Sequence, residues 1–295
     1  MIIRHADEIP VEERKTNARG GKFVFQRILE GPSGRPDNFY LQIARTFKDF
    51  DSPRHRHNFD QIRVQLEGSV DFASNGKMTP GMIGYFPEGT RYGPQTSSDD
   101  ALVLVLQFGG ASGNGYMSED QFQYGVNHLK EHGEFRNGAY FHVGPDGKVA
   151  TKDGYQAVWE FVNGRPMEYP EERYHTPIMI YPDHFRWTPV PGSPGVACKR
   201  LGTFTEAETR VALFRLDAGA ALDAEENSIY FGMKGSGRID SGSRWRNRTT
   251  IYLQAGERAK LTADEPSELF QIGMPKIERA ETTRSASTEA STISV

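Results

Sequence analysis

Pro53-Arg54-His55-Arg56-His57-Asn58-Phe59-Asp60-Gln61 places two imidazoles one residue apart, and Gly68, Gly81, Pro87, Gly89 and Tyr92 follow at readable intervals. On a β-strand, residues i and i+2 project from one face, so His55 and His57 can converge on a single point inside a sheet. Imidazole is the side chain most often used to hold a metal. Just beyond, Gln61, Arg63 and Gln65 alternate with Ile62, Val64 and Leu66, which predicts a strand with one polar and one apolar face. Two orientations stay open for Arg63. It points inward beside Gln61, where it suits a carboxylate, phenolate or enolate, or a bulge after the histidines turns it to solvent.

These residues and their order resemble the two motifs of the cupin superfamily. His55, His57 and Gly68 fall on the first motif, with Gln61 where the family has a glutamate; Gly81, Pro87 and Gly89 fall on the second, with Tyr92 in place of its histidine. Asp49 and Thr96 replace the opening glycine and closing asparagine. The resemblance implies an all-β double-stranded β-helix, or jelly-roll barrel, with one divalent transition metal (iron, manganese, nickel or zinc) held by His55, His57, Gln61 and Tyr92. A metal-free polar pocket is the alternative. Gln61 offers a neutral amide oxygen where a carboxylate would help balance the cation, and an ionised Tyr92 would restore that charge. His55, His57 and Tyr92 are the candidate catalytic residues, and Arg63, Phe59, Tyr85 and Gln107 the candidate substrate-binding ones. The aromatics among them, together with Phe86 and Phe108, either line the mouth or fill the core.

The chain also repeats itself. An ungapped shift of 167 residues lays Asn58 on Glu225, Gly68 on Gly235, Tyr85 on Tyr252 and Gly89 on Gly256, and upstream lays Ile43–Lys48 on Arg210–Arg215. Internal repetition outranks local signals in setting architecture, and here it predicts two barrels, a bicupin. The same shift places Leu222 at His55, Ala224 at His57, Ser228 at Gln61 and Ala259 at Tyr92. The second copy thus keeps the turn glycines and loses every candidate ligand, so the chemistry is expected in the first. The predicted layout is an N-terminal barrel over 1–117, a helical and loop connector over 118–180, a C-terminal barrel over 181–278 and a disordered Ser/Thr-rich tail over 279–295.

Short apolar runs of strand length, such as Lys22–Leu29, Asp60–Leu66 and Ala101–Phe108, alternate with Gly, Pro and Asn turns. Two segments differ. Ser118 with Gln121 forms a capping-box pattern before Phe122, Val126 and Leu129, and Gly133 ends that helix; a second helix is expected over Tyr155–Val162. Residues 1–20 are either an arm pairing with the other barrel or disordered. The chain has 295 residues, 37% of them hydrophobic, with 35 basic and 39 acidic side chains, figures that suit two ordinary globular cores and offer no one-sided field for nucleic acid. The start has no apolar leader core and no window reaches the roughly 20 apolar residues of a membrane span, so the expectation is a cytoplasmic protein. Its one cysteine, Cys198, excludes an intrachain disulfide.

Three functions compete on these grounds. Resemblance to bicupins favours metal-dependent, dioxygenase-like oxidation of a small aromatic or enolic substrate. The altered ligands favour acid–base chemistry, as in an isomerase, cyclase, dehydratase or lyase. The third is a small-molecule binding protein without turnover. A homodimer joined through sheet edges is the expected assembly. Two further strings are set aside: His128-Leu129-Lys130-Glu131-His132 matches H-x-x-E-H but faces away from the helix's apolar stripe, and the glycines of 109–115 fit neither dinucleotide nor phosphate-loop spacing.

Overall fold

A computed structural model describes residues 1–13, 23–110, 112–114, 116–144 and 146–277. The tail predicted over 279–295 and the Lys22 end of one predicted strand lie outside them.

Two seven-stranded antiparallel sheets dominate. In the first, Ile178–Ile180, Ile83–Phe86, Asp60–Glu67, Ala101–Phe108, Phe39–Thr46, Phe23–Glu30 and Glu12–Glu13 lie side by side in that order. In the second the order is Ile2–His5, Thr249–Leu253, Ser228–Lys234, Ser267–Gly273, Arg210–Leu216, Val196–Thr203 and Thr188–Pro189. A four-stranded sheet closes each into a barrel: Phe50–Ser52, Gln95–Ser97, Val70–Asp71 and Lys77–Met78 in one, Ala221–Ala224, Ala259–Ala263, Gly237–Ile239 and Arg244–Trp245 in the other. The architecture is the double cupin-type barrel that the repeat predicts.

Alternation along the strands divides the labour between their faces. Ile62, Val64, Leu104, Leu106, Leu41 and Ile43 of the first large sheet form one buried cluster with Ile229, Phe231, Phe270, Ile272 and Val211 of the second. The two barrels are therefore cemented back to back by the outward-facing half of each sheet. The inner half of the second sheet is also largely apolar: Tyr230, Leu269, Leu253, Leu216 and Ile251 pack with Trp245, Leu261 and Cys198 into one core cluster. In the first barrel the corresponding places go to polar side chains around a cavity.

The ends of the repeat are exchanged. Ile2–His5, inside the segment assigned to the first barrel, pairs with Thr249–Leu253 of the second, and Ile178–Ile180, inside the predicted connector, pairs with Ile83–Phe86 of the first. Each large sheet is thus completed by the strand that precedes the other barrel. Of the two states open for residues 1–20, the first few residues adopt the arm.

The connector holds more than helices and loops. Helix α1 (Glu119–Leu129) starts at Ser118, whose hydroxyl accepts from the Gln121 amide while Gln121 Oε1 accepts from the Ser118 amide. Helix α2 (Gly154–Asn163) is capped by Asp153 and ends at Gly164 in the left-handed conformation. A three-stranded antiparallel sheet, Gly133–Arg136, Ala139–Val143 and Val149–Asp153, lies between them. The helices pack through Phe122, Val126, Val158 and Trp159, and Gly125 permits their close approach, since a Cβ there would sit 2.9 Å from Val158 and Val162. None of the described helices is long and apolar enough to cross a membrane.

Candidate functional site

The first barrel encloses a cavity of about 170 Å³, below the range typical of drug-sized ligands. His55, His57, Phe59, Gln61, Arg63, Gln65 and Gln107 line it, with Gln42 and Gln95 from neighbouring strands. The inward option for Arg63 is the one realised: Gln61, Arg63 and Gln65 share the inner face, and the irregularity in this part of the sheet falls later, opposite Leu102 and Val103. Tyr116, Glu119, Phe122 and Tyr155 of the connector cover the remaining side. No sequence signal tied these four to the site, because nothing in a helix pattern tells which barrel it will roof.

At the centre lies a chain of hydrogen bonds. His55 Nδ1 lies 2.6 Å from the Pro53 carbonyl, and a carbonyl only accepts, so Nδ1 carries the proton and Nε2 is left as acceptor for the Tyr92 hydroxyl at 3.2 Å. The Tyr92 oxygen accepts in turn from Arg63 Nη2 at 2.9 Å and Gln61 Nε2 at 3.3 Å. Arg63 Nε and Nη2 both donate to Gln61 Oε1, at 3.0 and 2.8 Å, and Nη1 donates to Gln95 Oε1 at 2.7 Å. The guanidinium stacks over the Phe86 ring, 4.4 Å from its centre. Burial lowers the pKa of Arg63, and the adjoining Tyr92 oxygen pulls it back up. Its hydrogen-bond partners, Gln61, Gln95 and Tyr92, are neutral, and no carboxylate pairs with it among the described residues.

The imidazoles of His55 and His57 meet edge to face with centroids 4.9 Å apart, and His57 lies against Phe59 at 4.3 Å. Tyr92 stands one layer behind the cavity wall, 1% exposed, so its reach to a bound molecule runs through His55 and Arg63. Tyr85 does not belong to the site. Gln61 pairs with Phe86 and Ile62 with Tyr85, so Phe86 faces inward and Tyr85 outward, where it stacks on Phe204 of the second barrel at 4.8 Å. Phe108 likewise joins the core between the barrels. Gln42 and Gln95 went unremarked in the sequence; the signal for Gln42 was a lone amide in the apolar run of Phe39–Ala44.

The four expected metal ligands do not form a metal-binding set in this arrangement. The oxygens of Gln61 and Tyr92 both accept hydrogen bonds from Arg63, so a cation already occupies the place where their lone pairs would meet a metal. Among the described residues no three His, Cys, Asp or Glu side chains converge. Of the two imidazoles, His55 is held at both ring nitrogens, by the Pro53 carbonyl and the Tyr92 hydroxyl.

Correspondence between the barrels follows the strand pairing. His55 bridges to Tyr92, and at the matching place in the second barrel Ala224 pairs with Ala259. Both sites of the His55–Tyr92 contact have thus become alanine. Tyr230 stands where Arg63 does, its hydroxyl satisfied by the Gln271 amide at 3.0 Å and the Glu225 backbone N–H at 2.8 Å.

Fold and site together define a two-barrel protein of cupin architecture whose histidine-bearing cavity lies in the first barrel; a second cavity, lined by Arg200, Tyr230 and Gln271, opens in the other barrel without histidines. Solved structures of like fold include a "putative dioxygenase" from Nostoc punctiforme PCC 73102, at 10% identity over 95% of this chain and 84% of that one, with a TM-score of 0.63. A "Putative Glyoxylate Induced Protein" from Pseudomonas aeruginosa matches at 12% identity over 92% and 87%, with a TM-score of 0.57. The oxalate decarboxylase of Bacillus subtilis, described with Mn(II) centres, matches at 13% identity over 95% and 78%, with a TM-score of 0.52. No family model and no curated protein matches the sequence.

Proposed function

We propose that the first barrel is the working half of a small-molecule enzyme that binds an anionic organic substrate and moves protons on it. One observation carries this reading: a buried guanidinium, Arg63, forms part of the cavity wall with only neutral partners. A fixed cation in a low-dielectric site stabilises negative charge that arrives or develops beside it far more than it would in water. His57 faces the cavity, and imidazole is the side chain best suited to give and take a proton near neutral pH. His55 and Tyr92 act as positioning residues. Pro53 fixes the tautomer of His55, and Tyr92 ties that ring to Arg63. The aromatic cover of Tyr116, Phe122 and Tyr155 limits water at the reacting atoms. Proton abstraction beside a carbonyl or carboxylate, the common step of isomerases, dehydratases and lyases, fits these parts.

The test is carbon-bound hydrogen exchange in D2O, followed by NMR over a panel of small enolisable acids. We expect exchange on at least one member, at least about 100-fold slower with His57→Ala, which removes a general acid–base group, and unchanged after treatment with a chelator. Lack of exchange across the panel, or exchange indifferent to His57→Ala, sinks the reading. Metal-dependent, dioxygenase-like oxidation of an aromatic or enolic substrate is the second reading, favoured by the His55–His57 pair and the likeness to the Nostoc protein. Stoichiometric metal in the purified protein together with oxygen uptake would establish it instead.

A further inference from the structure

Beyond Arg63, the cavity wall carries two groups that ask for a ligand of defined chemistry. The Oε1 atoms of Gln42 and Gln65 are buried and meet no donor, although the residues are only 7% and 1% exposed. The orientation of the Gln65 amide follows from its other end, since Nε2 donates to the Glu67 carbonyl at 2.8 Å and the Leu102 carbonyl at 3.4 Å. Both side chains line the same cavity as Arg63. Gln42, Val105 and Arg63 stand in one row across three adjacent strands, and Gln65 is two residues along from Arg63 on the same face. An unpaired buried acceptor is costly, so each is a place where a ligand's O–H or N–H is rewarded. Arg63 has five N–H groups, of which Gln61, Gln95 and Tyr92 take four, which leaves one Nη1 hydrogen and the whole positive charge for an anion. A positively charged donor would be repelled by that same guanidinium, so the donors on the ligand are neutral, and in a cavity of this size hydroxyls are the most compact neutral donors. Val70, Phe72, Met78 and Val103, which also line the cavity, accept a short hydrocarbon backbone.

From these demands we infer that the ligand is a compact hydroxycarboxylate, its carboxylate beside Arg63 and its hydroxyls donating to Gln42 and Gln65. The inference rests on the proposed anionic substrate and names its class. Three probes of similar size separate its parts: glycerate has the carboxylate and the hydroxyls, propionate only the carboxylate, and glycerol only the hydroxyls. Calorimetric titration of the full chain should give binding in the order glycerate, then propionate, with glycerol undetected, the first two differing by about tenfold or more, as two buried hydrogen bonds would give. Gln42→Met and Gln65→Met should each erode the glycerate advantage while leaving propionate unchanged. Arg63→Met should abolish binding of both acids, and Arg63→Lys, which keeps the charge, should restore part of it in a protein whose thermal unfolding checks that it is folded. Glycerol binding as tightly as glycerate, or propionate matching glycerate in the wild type, overturns the assignment. The two proposals fail separately. Glycerate binding that depends on Arg63 and Gln42 without any hydrogen exchange keeps the ligand class and ends the catalytic reading, whereas exchange confined to acids without hydroxyls does the reverse.

Discussion

Tyr92 receives hydrogen bonds from Arg63 and Gln61 and passes its own to His55, a combination that a metal-ligating imidazole at the same place could not provide. The phenol oxygen is thus the junction of the polar cluster, and Tyr92→Phe tests how much the cluster depends on it. Removing that oxygen leaves His55 Nε2, an Arg63 N–H and a Gln61 N–H without their partner. We expect the free energy of unfolding in urea to fall by about 1–3 kcal/mol, the range for orphaned buried polar groups. Unchanged stability would mean these bonds contribute nothing net. His55, His57 and Gln61 were readable in the sequence from their motif spacing. Arg63 was left with two orientations that only the regular part of Asp60–Glu67 decides, and the histidines sit in the connection before that strand and not on it. Tyr85 was misplaced for the complementary reason: which of Tyr85 and Phe86 faces inward depends on their pairing with Ile62 and Gln61, and that register is set by loops whose geometry no local pattern reveals.

Turns are the elements the two copies share most faithfully. Gly68 and Gly235 both adopt the left-handed region, with φ of 61° and 78°, and both follow strands carrying the same irregularity, Leu102 opposite Glu67 in one barrel and Glu268 opposite Lys234 in the other. A Cβ on Gly68 would lie 2.1 Å from the Asp100 carbonyl oxygen, whereas Gly81, also left-handed at φ 88°, has nothing within 4 Å. Gly68→Ala should therefore destabilise more than Gly81→Ala, by about 1–3 kcal/mol beyond the strain common to both. Equal midpoint shifts in urea would show that the loop around Asp100 yields freely. The repeat was less reliable upstream. Thr46 pairs with Ala101 and Leu216 with Ser267, so Leu216 matches Thr46, three residues from the Leu213 of the ungapped shift. A loop shortened between strand and ligands moves everything before it, which is why Ala224, and not Leu222, occupies the place of His55. Helix α1 was legible from its capping box and apolar spacing, although it ends at Leu129 and Gly133, expected to stop it, opens a strand. Helix α2 was expected over nearly its full length but without its Asp153 cap, and the hairpin sheet between them was not legible, since its strands are short and largely exposed.

Back-to-back packing buries polar groups as well as apolar ones, and Asp60 is the case with a measurable consequence. Its carboxylate faces Arg173 of the connector at 3.0 Å and accepts from the Glu88 backbone N–H at 2.6 Å; Arg173 in turn holds Glu206 of the second barrel at 2.9 Å. One bridge therefore joins first barrel, connector and second barrel. Burial raises the Asp60 pKa from 3.8 to about 6, opposed by Arg173 and by the Glu88 N–H, while the nearby Glu88 carboxylate adds to the rise. The sign follows directly. Between about pH 6 and pH 4 the folded protein binds a proton that the unfolded chain does not, so Asp60 contributes stability at low pH that is lost as the pH climbs through 6. Glu206, whose pKa is lowered by its bond to Arg173, contributes in the opposite direction, and comparison with Asp60→Asn removes that background. Relative to Asp60→Asn, the wild type should gain on the order of 2 kcal/mol between about pH 7 and about pH 4.5, read from urea unfolding at each pH. A gap that stays constant would place the Asp60 titration at its unfolded value. A loss of wild-type stability relative to Asp60→Asn on acidification would mean that the ion pair with Arg173 outweighs burial, and that Asp60 joins the barrels as a charge and not as a proton-binding site.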